Sequence, residues 1–411
     1  MAFASDQGTA LPRTGEGDPY APHRFVGNAV ALVVLAASIA ELIANAFHPI
    51  PRDFLSFWGA AQLALAGHPA AAYDSGTLHS VQKAVADFGT GHAEMPFPYP
   101  PAYLALVAPF GLLPFPLAMA IWIACTFAFY LWAARRLIPR SGWLAAAFPA
   151  VYANATDGQN AFLTVGLFMS GLALASRRSF AAGLVLGCLI VKPQLALLLP
   201  VAFIAARSWR VIAGAAISST GILLAGALLL GPATTEAWLH QLPLYATITR
   251  DGLVGWSKLS SIYAATRAWN VEPEAAMAVH GIAALAAAVA VWRVWRSSDA
   301  DDPMRVAVLC AASALASPYL FFYDGVILVP AFLILAVRVR QPALFFALWS
   351  LPLLQIAQIG IRDFGINLNA VLAVVLTSVL FALWKTAEGD PETQSRASLL
   401  SFEQPSGVTL S

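Results

Sequence analysis

Long apolar runs recur along this chain, separated by short polar breaks, and a helix that crosses a bilayer needs about twenty such residues in succession. The pattern predicts crossings near 25–47, 114–134, 143–156, 158–176, 179–191, 194–206, 211–231, 273–292, 303–317, 320–337, 343–361 and 367–384. Twelve crossings make the chain an all-α membrane protein. Four of them, 143–156, 179–191, 194–206 and 303–317, cover only about 20 Å at the helical rise. Short helices meeting at membrane depth leave polar backbone there, which is tolerated where it lines a watery cavity. An internal cavity opening outward is therefore expected; the competing reading is boundaries misplaced by a few residues.

Two connecting segments are long. The first, 48–113, holds two apolar stretches, 54–66 and 100–112, bounded by Gly or Pro; such pieces favour helices lying in the membrane interface. The second, 231–272, carries Trp238, Trp256, Trp269, Tyr245 and Tyr263, an aromatic set suited to headgroup depth. The terminal segments 1–24 and 387–411, rich in Gly, Pro, Ser and charge, read as disordered cytoplasmic tails, which leaves 25–386 as the transmembrane domain. Arg24 and the triplet Ala44-Asn45-Ala46 flank the first run as in a cleavable signal, but its length, Phe25 to Phe47, suits a retained anchor. No internal repeat is visible.

Composition agrees with lipid as the solvent: 59% of residues are hydrophobic and 11% charged, against about 25% charged in soluble domains. The net charge of +1 supplies no field that would recruit nucleic acid. Placing the N-terminus inside puts sixteen of the 23 basic residues on the cytoplasmic face, among them Arg13, Arg24, Arg135, Arg136, Arg177, Arg178, Arg340 and Arg396. The outer face receives Arg52, Lys83, Lys192, Arg250, Lys258, Arg267 and Arg362. This bias predicts cytoplasmic N- and C-termini. Cys125, Cys188 and Cys310 sit in apolar runs, where a thiol acts as a small hydrophobe.

An ionisable group at membrane depth costs at least about 2.5–3.5 kcal/mol and is a functional candidate by default. Asp53, Asp157, Lys192 and Asp324 all fall on the outer side of this topology and can share one cavity. Each has a structural reading beside the functional one. Asp53 and Asp157 suit the caps of the helices that follow them; Arg52 suits an interfacial anchor; Asp324 suits a link to Tyr319 or Arg267. Lys192, flanked by an apolar run and Pro193, snorkels toward the outer face and binds an anion in the functional reading. Glu41 and His280 read as packing polars, and Tyr99-Pro100-Pro101 as a rigid helix start.

These residues resemble glycosyltransferase family 87, of the GT-C architecture. The elements are Arg52-Asp53-Phe54 with Phe57-Trp58, Ala66-Gly67 with Tyr73-Asp74, Phe97-Pro98-Tyr99-Pro100-Pro101, and Asp157-Gly158-Gln159-Asn160. They continue with Lys192-Pro193-Gln194, Trp238-Leu239 with Leu242-Pro243, and Ser317-Pro318-Tyr319 with Tyr323-Asp324. The resemblance implies a bacterial inner-membrane enzyme that moves a sugar, often mannose, from a polyprenyl-phosphate donor to a lipid or glycan acceptor on the outer side. It maps Asp53 as the base. Two departures stand out: Asp157-Gly158-Gln159 where Asn-Gly-Gln is usual, and Tyr319 and Tyr323 where actinobacterial members show histidines.

The expected site is Asp53 as catalytic base, with Lys192, Gln194 and Arg267 on the donor phosphate. Tyr99, Asp157, Gln159, Asn160, Tyr319, Tyr323 and Asp324 line the substrate pocket. The absence of a Gly-rich phosphate loop between a strand and a helix agrees with a lipid-linked donor. In the expected reaction, an inverting displacement, Lys192 stabilises charge on the leaving phosphate. No cofactor is called for; a divalent cation held by Asp53 with Asp157 or Asp324 is possible without being required. The rival readings are a transporter or flippase, which also uses broken helices and buried charge, and a non-catalytic lipid-binding scaffold.

Overall fold

The computed structural model describes residues 20–47, 52–88, 95–297, 302–338, 342–360 and 368–387. Most of both expected tails, and Arg13, Arg340, Arg362 and Arg396, lie outside the described residues. Helix follows helix throughout. In chain order they are α1 (Ala21–Phe47), α2 (Phe54–Leu65), α3 (Ser75–Lys83), α4 (Pro101–Val107), α5 (Phe115–Leu137) and α6 (Gly142–Ala146). Next come α7 (Pro149–Asp157), α8 (Ala161–Ala175), α9 (Ser179–Gly187), α10 (Leu199–Ala205), α11 (Trp209–Leu230) and α12 (Pro232–Arg250). The last six are α13 (Ile262–Ala268), α14 (Pro273–Arg296), α15 (Asp302–Ala316), α16 (Val329–Arg338), α17 (Pro342–Gly360) and α18 (Leu368–Ala387).

Among the described residues four helices are long and apolar enough to cross a membrane: the His23–Ala44 part of α1, α5, α11 and α14. The chain is thus a helical membrane protein, and four of the twelve expected crossings fall on these helices. At several of the other predicted positions the helices are shorter or interrupted, and proline is one cause. Segment 143–156 breaks into α6 and α7 because Pro149 sends Phe148 into extended backbone (ψ 132°). Segment 179–191 tightens to 3-10 geometry at Cys188–Val191 and stops at Lys192, whose φ of −144° and ψ of 68° satisfy the following Pro193.

Burial sorts the helices into lipid-facing and interior sets. Leu32 on α1, Leu228 on α11 and Ile282 on α14 are exposed apolar residues, as a surface that meets lipid requires. By contrast α15 is buried from Val306 through Ala316, the mark of a helix surrounded by protein. It packs against α14, α16 and α18. α9 and α11 approach backbone to backbone: a Cβ on Gly183 would stand 2.1 Å from the Val211 carbonyl oxygen, the close approach that small residues permit in membranes.

In the first long connection α2 buries Phe54 through Ala61 and Leu63, so it packs within the protein. α4 continues into a 3-10 turn, Ala108–Leu112, that covers α2. This packing fixes the start of α2, where Arg52 and Asp53 stand.

Candidate functional site

Asp53 immediately precedes α2, yet its side chain makes no capping bond. Its Oδ2 instead accepts a hydrogen bond from Gln159 Nε2 at 3.1 Å, across 106 residues of chain. The capping reading also fails for Asp157, which ends α7 and starts nothing. Gly158 then turns left-handed (φ 66°), and Asn154 does the capping work: its Oδ1 accepts the Ala161 N–H of α8 at 3.0 Å. A Cβ on Gly158 would lie 2.6 Å from Phe54 Cβ, so this turn sits directly against the start of α2.

Arg52 forms an intramolecular bridge. One guanidinium nitrogen lies 2.8 Å from Glu41 Oε2 and another 3.6 Å from Asp157 Oδ1. The row Glu41–Arg52–Asp157 joins α1, the start of α2 and the end of α7. His280 does behave as a packing polar, with Nε2 3.2 Å from the Ala316 carbonyl oxygen.

Lys192 does not snorkel. Its side chain is 3% exposed and its Nζ donates to Asp324 Oδ1 at 2.6 Å and to Asn160 Oδ1 at 3.0 Å. The Nζ also lies 5.2 Å from the centre of the Tyr323 ring, a cation–π interaction. Asp324 therefore pairs with Lys192, and not with Tyr319 or Arg267; its Oδ2 accepts the Phe321 N–H at 3.4 Å. Asn160 links this pair to the rest of the site, because its backbone N–H donates to Gln159 Oε1 at 3.0 Å. Tyr99 O–H donates to the same oxygen at 3.2 Å. Asp53, Tyr99, Gln159, Asn160, Lys192, Tyr323 and Asp324 thus form one connected cluster, and Asp157 stands beside it, paired with Arg52 and electrostatically coupled to Asp53.

Three expected residues stand outside that network. Arg267 donates to the Val271 carbonyl at 2.6 Å and stacks over Trp256, so it closes its own helix end. Gln194 is half-buried and makes no hydrogen bond among those described. Tyr319 packs edge-on against Tyr263, and both border a cleft of about 460 Å³ with Arg250, Glu274 and Met277. The cluster gains one residue that the sequence marks only as an outer-face charge. Lys258, exposed on the 3-10 turn Trp256–Lys258, stands close enough to act electrostatically on Asp157. The next residue, Leu259, bridges Phe321, which ties this turn to the segment leading to Asp324.

The cluster occupies one end of the helices. Asn160 precedes α8 and Arg177 and Arg178 follow it; α9 runs from Arg178 toward Lys192; α5 ends in Arg135 and Arg136. The arginine-rich ends are therefore opposite the site. Chemically, the arrangement offers one carboxylate, Asp53, with Oδ1 accepting no hydrogen bond from the described residues, beside a second carboxylate and exposed positive charge. Among the described residues no three His, Cys, Asp or Glu side chains group as metal ligands.

A helical membrane body carrying an acid–amide–lysine cluster at one end defines a class of polytopic membrane enzyme more than any single reaction. The model of glycosyltransferase family 87 matches residues 97–318, more than half of the chain, and the chain belongs to that family: it is a membrane glycosyltransferase. No curated protein and no solved structure gives a significant match. The matched region contains Tyr99, Asp157, Gln159, Asn160, Lys192, Gln194 and Arg267. Asp53, Tyr319, Tyr323 and Asp324 lie beyond it, and the fold brings all of these except Tyr319 to the cluster.

Proposed function

We propose that the protein transfers a sugar, with mannose favoured, from a polyprenyl-phosphate donor to a lipid or glycan acceptor on the extracytoplasmic side of the bacterial inner membrane, with inversion. The observation that carries this reading is Asp53: a half-buried carboxylate held on one oxygen by Gln159, with the other accepting no hydrogen bond from the described residues, in a cluster opposite the arginine-rich helix ends. That second oxygen takes the proton of the acceptor hydroxyl as that hydroxyl's oxygen attacks the anomeric carbon. The bond from that carbon to the donor phosphate breaks, and its electron pair leaves on the phosphate. The described residues form a helical body with no strand and phosphate-cradling loop of the nucleotide-binding kind, which supports a lipid-linked donor. Lys192 is committed to Asp324, so the exposed Lys258 is the cation better placed for the leaving phosphate.

The test is a panel of polyprenyl-phosphate sugars and nucleotide sugars offered to the purified protein in liposomes. Consumption of one lipid-linked sugar with release of polyprenyl phosphate supports the reading. Turnover of a nucleotide sugar alone contradicts it.

A further inference from the structure

The buried lysine needs an explanation other than ligand binding. A lysine ammonium has three N–H donors and no acceptor. Here one meets Asp324, one meets Asn160, and the ring face of Tyr323 lies alongside. Little is left for a phosphate to claim without breaking a fully buried ion pair. Stability is a weak reason for the pair as well, because a buried salt bridge replaced by apolar residues of like volume is often as stable or more so.

The bonds that leave the pair point to its use. Because Lys192 only donates, the Asn160 atom facing it is Oδ1, which sets the orientation of that amide. The lysine thereby anchors the Asn160 side chain at the start of α8, and the backbone N–H of the same residue donates to Gln159 Oε1. Tyr99 O–H occupies the same oxygen. With its oxygen taken by two donors, the Gln159 amide can present only its NH2 end to Asp53, and it does so at 3.1 Å. The contacts Lys192–Asn160–Gln159–Asp53 run without a break from the lysine to the carboxylate.

We infer that Lys192 is a positioning residue: through Asn160 and Gln159 it sets the direction in which the Asp53 carboxylate faces its substrate, and it does not bind the donor phosphate. This inference rests on the proposed role of Asp53 as base. A positioning defect of about 1 Å at a reacting group costs about 100-fold in rate, whereas removal of a phosphate ligand shows in donor affinity.

The experiment uses the full chain in liposomes and a double-mutant cycle. Lys192→Met alone leaves Asp324 buried without a partner and risks misfolding. The working variant is therefore Lys192→Met/Asp324→Leu, with membrane abundance checked. Its kcat is expected to fall about 100-fold with donor KM unchanged. On a Gln159→Ala background the same pair of changes is expected to cost little more, since the path to Asp53 is already cut. A raised donor KM with kcat retained, or effects that simply multiply in the Gln159→Ala background, overturns the inference.

A structure of the paired variant supplies a readout independent of activity. The hydrogen bond from Gln159 to Asp53 should be absent there; its retention overturns the inference even if no donor is turned over. A wild-type protein inactive on every lipid-linked sugar, together with a paired variant in which Gln159 has turned away from Asp53, removes the proposed reaction and leaves the positioning chain standing.

Discussion

Gly158→Ala tests how tightly the α7–α8 turn supports the base. The backbone there is left-handed, φ 66°, which costs an alanine roughly 1–2 kcal/mol. The added methyl would also stand 2.6 Å from Phe54 Cβ and 3.2 Å from Met119 Cε, where carbons prefer about 3.5–4.0 Å. Phe54 Cβ is fixed to the backbone and cannot swing away, so overpacking adds about 1–3 kcal/mol. The sum is a destabilisation of about 2–5 kcal/mol. Relief requires the start of α2 to move by about 1 Å, and Asp53 is the neighbouring residue, so turnover should fall about 100-fold. Thermal unfolding in detergent and single-turnover kinetics read the two effects. Gly281→Ala is the control, since a Cβ there meets nothing within 4 Å. Wild-type stability and rate in Gly158→Ala would show that the turn does not hold α2 in place.

Lys258→Ala should raise the KM for a polyprenyl-phosphate donor at nearly constant protein stability, because this exposed side chain has no hydrogen-bond partner among the described residues; an unchanged donor KM removes it from the phosphate. Asp74, whose Oδ1 accepts from the Thr77 N–H at 2.8 Å and its hydroxyl at 2.6 Å, caps α3, so Asp74→Ala should cost about 0.5–2 kcal/mol and spare turnover. The Thr77 bonds hold this carboxyl below its ordinary value; the cap's contribution is thus complete above about 3.9 and disappears as pH falls through the lower folded value. Urea titrations of wild type and variant across that range check the sign. Exhaustive chelation should leave turnover unchanged if Asp53 works without a divalent cation, and a deficit restored by added magnesium or manganese would show that it does not.

Much of the helix layout was legible because hydropathy and proline are local signals. Pro193 lies at a break that the sequence places between two helices, whereas the break at Pro149 falls inside a segment read as one helix; the segments predicted at 114–134, 211–231 and 273–292 correspond to α5, α11 and α14. Which apolar runs meet lipid was not legible, since the length of a run does not say whether its helix faces lipid or protein; α2 and α15 are buried by protein. Eight of the eleven residues singled out from the sequence come together in the fold, but their partners were not legible. Asp53 looked like a cap because caps are set by neighbours in sequence, whereas its partner, Gln159, is 106 residues away. Lys192 looked like a snorkelling cation because its counter-charge, Asp324, is 132 residues further on. Lys258 carried no local signal at all; only the bridge between Leu259 and Phe321 brings its turn to the cluster.

The proposed reaction depends above all on the Asp53 carboxylate acting as the base of a glycosyl transfer. Asp53→Asn keeps the size of the side chain and removes its capacity to take a proton, so glycan formation by this variant and by the wild type is compared at equal membrane abundance. A fall of at least about 100-fold with donor binding intact is expected. Equal rates of product formation would mean that some other group takes the proton.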